Sequence, residues 1–132
     1  MGIRVVRDLT APMRYTVELD PYRLAMEIST EEAVKAPGPN PHDLYDAALG
    51  ACKALTILWF AKRKGIPVED IEVSVTRDNS QERSGTYRLT ANVKLSGGMT
   101  QEQTAELLQV AQRCPVHRLM TEVETQIATV LI

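Results

Sequence analysis

Asn40-Pro41-His42-Asp43-Leu44-Tyr45-Asp46-Ala47-Ala48-Leu49-Gly50-Ala51-Cys52-Lys53-Ala54-Leu55-Thr56-Ile57-Leu58-Trp59-Phe60-Ala61-Lys62-Arg63-Lys64-Gly65 reads as one long helix with both ends marked. Asn40 is a good capping residue, and Pro41 suits the first helical position, where its missing N–H would be unbonded anyway. Asp43 and Asp46 place negative charge near the positive end of the helix dipole. Lys62, Arg63 and Lys64 place positive charge at the other end, and Gly65 can take the left-handed stop. Between the ends nearly every residue is apolar, and Asp46, Gly50 and Lys53 fall at helical spacing as one narrow polar stripe. A helix apolar nearly all round is buried on most sides. The run also reaches about the minimum length for a membrane span, but Asp46 and Lys53 would then lie in hydrocarbon at a cost of several kcal/mol. The core-helix reading is therefore taken.

Such a helix is about 38 Å long, whereas a domain of this size has a radius of gyration of about 14 Å. One subunit covers it only in part. The expectation is that a second copy covers the rest, most simply about a two-fold axis.

Outward from the helix the pattern is that of strands. Ile3 to Arg7 is a first short strand, and Leu9-Thr10-Ala11-Pro12 a turn. Tyr15, Val17 and Leu19 alternate with polar residues, Asp20-Pro21 signals a turn, and Tyr22, Leu24, Met26 and Ile28 alternate again. Thr30 to Pro39 is a connector whose Pro and Gly residues exclude helix. Beyond the helix, Pro67 breaks the chain. Ile71, Val73 and Val75 form a strand, Arg77 to Gly85 a polar loop, and Tyr87 to Leu95 a longer strand ended by Gly97-Gly98. Thr100 and Gln103 make a capping box for an amphipathic helix running to Arg113. Cys114-Pro115 restarts a helix at a new angle, since proline fits the first turn and not the interior. Val123, Thr125, Ile127 and Leu131 predict a closing strand. The order β-β-β-α-β-β-α-α-β, built on hairpins, predicts an α+β fold with antiparallel sheet, as a single domain over residues 1–132.

Composition narrows the function classes. A net charge of −2 and an isoelectric point near 5.7 argue against nucleic-acid binding. The Walker, dinucleotide-binding, nucleophile-elbow and zincin motifs are all missing. The first residues, Met1 to Arg7, lack the apolar core of a signal peptide, so the expected compartment is the cytoplasm, where a permanent disulfide is disfavoured. The two cysteines are then inert or working thiols. Cys52, mid-helix among apolar neighbours, reads by itself as a core residue. Cys114 stands at a helix start, with Arg113 and Arg118 nearby; its local sequence reads either as the more readily ionised thiol or as a cysteine that merely caps a turn. His117, three residues on, either lowers the Cys114 pKa or points to solvent. The spacing of His42, Cys52, Cys114 and His117 does not make a zinc site.

Two motifs carry a resemblance to a known family. Gly38 to Cys52, continued by Ala61-Lys62-Arg63-Lys64-Gly65-Ile66-Pro67, resembles the helix motif of the OsmC/Ohr family. Cys114-Pro115-Val116-His117-Arg118 resembles its second cysteine motif in the OsmC-like branch. The resemblance implies an OsmC-like fold, with antiparallel sheet wrapped around a long central helix in an intertwined homodimer. It also implies reduction of organic hydroperoxides, with a dithiol, such as a lipoyl protein, as reductant. Neither metal nor organic cofactor is implied, nor any nucleic-acid or membrane partner. By the motif match Cys52 is the peroxidatic thiol and Cys114 the resolving one. In the family's peroxidases an arginine of the N-terminal hairpin, oriented by a helix glutamate, stabilises the thiolate. Arg14 is the candidate arginine here, with Arg23 the alternative. His42 occupies the glutamate's place and Asp43 lies one residue off it; an imidazole cannot form the bidentate fork that a carboxylate makes with a guanidinium. His42, Asp43 and His117 are therefore carried as binding candidates. The alternative to an enzyme is a redox-sensing or small-ligand-binding dimer.

Overall fold

The computed structural model describes residues 2–27 and 38–132. The chain divides into two compact units, residues 1–45 and 46–132, with the boundary inside the long helix. Ile28 and most of the expected connector lie outside the described residues.

The first unit holds three antiparallel strands in sequence order, β1 (Arg4–Asp8), β2 (Arg14–Leu19) and β3 (Tyr22–Glu27). Leu19 pairs with Tyr22 across a turn of Asp20 and Pro21, so the register of β2 and β3 follows from the turn the sequence marks. The other turn is set by Asp8, whose carboxylate accepts from the Thr10 N–H at 2.9 Å and the Thr10 hydroxyl at 2.6 Å. Those bonds, first the hydroxyl and then the N–H, with help from Arg14, hold the Asp8 carboxyl below the usual carboxylate range.

The long helix α1 spans Pro41–Lys64. Its start is a reciprocal cap: the Asp43 N–H donates to Asn40 Oδ1 at 2.9 Å, and the Asn40 N–H donates to Asp43 Oδ2 at 3.0 Å. Its end is a left-handed Gly65, φ 69°, with the Ile66 N–H returning to the Ala61 carbonyl at 2.9 Å. This is the geometry that favours glycine.

In the second unit, β4 (Val68–Asp78) and β5 (Arg88–Gly97) form an antiparallel ribbon. The register faces Ile71 with Leu95, Val73 with Val93 and Val75 with Ala91. Two helices follow, α2 (Gln101–Gln112), with the Thr100–Gln103 capping box as expected, and α3 (Pro115–Thr121). The core packs α1 against α2 and the ribbon. Ile57, Ala61, Ile66, Leu107 and Ala111 are buried, with Ile71, Val93 and Leu95 against them. Gly50 permits the close approach of α1 to β4: a Cβ there would meet a Val75 methyl at 3.0 Å.

One expectation is corrected. The alternation from Val123 to Leu131 does not form a strand. A strand exists through its ladder partner, and among the described residues nothing pairs with this segment, which lies exposed. Within one chain α1 is covered only in part, as expected. Its buried residues are Asp46, Leu49, Gly50, Lys53, Ile57 and Ala61, so the polar stripe is part of the covered side. The apolar residues Leu55, 65% exposed, and Trp59, 63% exposed, face outward with Leu58. The stripe tolerates burial because each of its charges meets partners from other elements of the same unit.

Candidate active site

Burial of Asp46 is met from the ribbon. Arg77 of β4 places its Nε 2.7 Å from Asp46 Oδ2, and the Tyr87 hydroxyl donates to Asp46 Oδ1 at 2.6 Å. Desolvation first, then the Asp46 hydrogen bond and charge, push the Tyr87 hydroxyl up to about 12, against the opposing pull of Arg77. Two turns along the same stripe lies Lys53. Its ammonium donates to the Ala111 carbonyl at 2.8 Å and lies 3.0 Å from His117 Nδ1. Both charges of the helix interior are thus spoken for by specific partners.

The partners of Lys53 flank Cys114. The chain leaves α2 at Ala111, turns at Cys114 in extended conformation (φ −62°, ψ 147°), and enters α3 with Pro115 at its first position. Cys114 caps α3 through sulfur: its Sγ accepts the His117 N–H at 3.4 Å. One residue earlier, the Val116 N–H donates to Cys52 Sγ at 3.5 Å. Cys52 is also near enough to Cys114 to act on its thiol. The loop after α2 and the middle of α1 therefore bring together two cysteines that stand far apart in the sequence.

The thiols differ in access. Cys52 is partly exposed, whereas Cys114 is fully buried. Burial pushes the Cys114 thiol up; the His117 N–H and the Lys53 charge pull the other way, and the neighbouring Cys52 adds to the rise. The local expectation that Cys114 ionises readily is thereby corrected. The helix-start features are present, but desolvation outweighs them. The cation acting on Cys114 is Lys53, since Arg113 is exposed and Arg118 pairs with Glu122 at 3.7 Å on the surface.

Of the other candidates, His117 joins the site through its ring contact with Lys53, and does not simply point to solvent. His42 lies exposed in the first turn of α1, and Asp43 serves the helix cap. Arg14 belongs to the first unit. It stands on β2 between its two cross-strand neighbours, 3.9 Å from Asp8 Oδ2 and 3.5 Å from Glu27 Oε2. Sequence reasoning missed Lys53. Its signal was a charge directly after Cys52 in an otherwise apolar run, read as part of a stripe. Among the described residues no group of three or more His, Cys, Asp or Glu is placed to hold a metal. The arrangement suits dithiol–disulfide chemistry: one accessible sulfur, one buried sulfur in the turn packed on it, and a buried cation bonded to both ends of that turn.

Comparison with known proteins agrees with this fold. The structure is similar to an OsmC-like protein of Mycoplasma pneumoniae, with 20% identity over 92% of this chain and 87% of that one, at a TM-score of 0.75. It is similar to an organic hydroperoxide resistance protein OsmC of Legionella pneumophila, with 18% identity over 92% and 90% and a TM-score of 0.68. It is similar as well to the organic hydroperoxide resistance protein OhrB of Bacillus subtilis, with 21% identity over 92% of each chain and a TM-score of 0.62. Curated proteins give no match. The family model described as OsmC-like protein matches residues 31–129, and with both cysteine motifs inside that span the chain belongs to the OsmC-like family.

Proposed function

We propose that the protein is a cysteine-dependent reductase of organic hydroperoxides, acting in the cytoplasm, with Cys52 as the attacking thiol and Cys114 as the resolving one. The observation that carries this reading is the packing of the Cys114 turn on Cys52, whose Sγ accepts the Val116 N–H at 3.5 Å, with Cys52 alone of the two sulfurs open to solvent. The similar proteins named for organic hydroperoxide resistance support the choice of substrate.

The steps balance as a two-electron reduction. The Cys52 thiolate attacks the terminal oxygen of ROOH; the S–O bond forms, the O–O bond breaks, and the departing alkoxide takes a proton to give ROH. Cys114, as thiolate, attacks Cys52 Sγ; the S–S bond forms and the S–O bond breaks, with hydroxide leaving as water after protonation. An external dithiol then returns both thiols by two exchanges and is itself oxidised to a disulfide. Hydroperoxide consumption with a dithiol as electron donor tests the reading. The expected result is catalytic turnover with one alcohol formed per dithiol oxidised. Oxidation of the protein without turnover would favour a sensor instead.

The same reading takes the working form to be a homodimer. The outward Leu55, Leu58 and Trp59 of α1, together with the exposed Ile127, Val130 and Leu131 of the tail, make more unpaired apolar surface than a solitary chain of this size ordinarily shows. Sedimentation is expected to give a dimer at micromolar concentration, and Trp59→Glu to shift it to monomer. A well-folded wild-type monomer would rule the assembly out.

A further inference from the structure

Lys53 is 6% exposed, and its recorded partners, a carbonyl and an imidazole nitrogen, are acceptors that carry no negative charge. Among the described residues no carboxylate pairs with it. The nearest carboxylate on its own stripe, Asp46, is seven residues away and is engaged by Arg77 and Tyr87. That spacing is about 10 Å along the axis. A buried ammonium without a counter-ion is costly unless something nearby supplies negative charge.

Lys53 grips Ala111 and His117, the two residues that flank the Cys114 turn three positions before and after it. The Ala111 carbonyl also accepts the Cys114 N–H at 3.4 Å, and the His117 N–H donates to Cys114 Sγ. Lys53 thus ties both ends of the turn to α1, beside the Cys52 it follows in sequence. An ammonium has donors only, so the Lys53 contact assigns the accepting role to His117 Nδ1.

We propose that Lys53 is the positioning residue of the thiol pair: it braces the Cys114 turn against Cys52 and supplies the buried positive charge that becomes the counter-ion when the pair ionises. The ammonium contacts the Ala111 carbonyl of α2 and His117 of α3, and its charge acts on Cys114 of the turn. Asp46, with Arg77 of β4 and Tyr87 before β5, forms the next cluster along the stripe. The inference deepens the thiol reading of the site, and its test uses no hydroperoxide.

The experiment is the pH profile of alkylation by iodoacetamide for the reduced wild type, Lys53→Met and Lys53→Arg. One pKa unit is a tenfold change in thiolate fraction below the pKa. Lys53→Met is expected to slow alkylation at neutral pH about tenfold and move the profile to higher pH, while Lys53→Arg keeps most of the wild-type rate. An unchanged profile in a folded Lys53→Met protein overturns the proposal. If Lys53→Met does not fold, the wild type itself decides. By NMR of labelled lysine, the Lys53 side-chain resonance is expected to move when both thiols are blocked, and an unmoved resonance overturns the proposal. Absence of hydroperoxide turnover with the Lys53 dependence intact would count against the enzyme reading alone. Turnover with an unchanged alkylation profile would count against this inference alone.

Discussion

Cys52→Ser is expected to lose hydroperoxide-dependent oxidation of a dithiol altogether, while Cys114→Ser reacts once and stalls. The two outcomes follow from access. Cys52 is the sulfur that a peroxide can reach, and a hydroxyl in its place is not ionised near neutral pH and is a far weaker nucleophile. The expected loss is about a thousandfold or more, about 4 kcal/mol of barrier. Cys114 is buried against Cys52 and cannot meet a bulky hydroperoxide first. Without it, Cys52 is still oxidised to sulfenic acid but has no internal thiol to condense with. The readout is a stoichiometric burst of alcohol followed by slow turnover at the rate of external thiol attack. Cys114→Ser is expected to stay folded, because a serine hydroxyl caps a helix start at least as well as the thiol that now accepts the His117 N–H.

Asp46→Asn is expected to be the most destabilising isosteric change on the polar stripe. The carboxylate answers a guanidinium at 2.7 Å and a phenol at 2.6 Å, and is itself buried. An amide of the same shape leaves Arg77 without this counter-charge. Breaking a fully buried pair costs about 3–5 kcal/mol. The Arg77 side chain keeps 28% exposure, so water recovers part of that. The expected loss is about 2 kcal/mol, a fall in Tm of about 6 °C for a chain of this length. The same variant tests the tyrosine. In the wild type the Tyr87 hydroxyl ionises near 12, above its ordinary value of 10.0. A raised folded-state pKa contributes stability that is whole below pH 10 and is lost as pH rises through 12. In Asp46→Asn the Tyr87 value is expected to fall part of the way back, since burial, the larger cause, remains. Ultraviolet difference titration reads the shift, and an unmoved Tyr87 would show that Asp46 does not set it.

Local chemistry was the legible part of this chain. The Asn40 cap, the Gly65 stop, the Asp20-Pro21 turn, the Thr100–Gln103 box and the break at Pro115 each depend on neighbours within a few residues, and each is where the sequence puts it. What failed depended on distant partners. The alternation at Val123–Leu131 announces a strand but cannot say whether an edge is waiting for it. The α1 stripe names no partner by itself; Arg77, Tyr87, Ala111 and His117 come from elsewhere in the chain. Cys114 has the local features of an acidic thiol, yet the desolvation that raises it comes from packing that no short window reveals. Cys52 looked inert for the same reason: its contact with the Cys114 turn crosses 64 residues. The family motifs supplied the pairing of the two cysteines as an expectation, and the geometry brings the Cys114 turn against Cys52.

The most direct test of the redox account is to treat the reduced protein with one equivalent of an organic hydroperoxide and map the product by mass spectrometry. The account predicts one equivalent of the corresponding alcohol and a Cys52–Cys114 disulfide that a dithiol reverses. Oxidation confined to Cys114, or hydroperoxide left unconsumed with both thiols free, would contradict it.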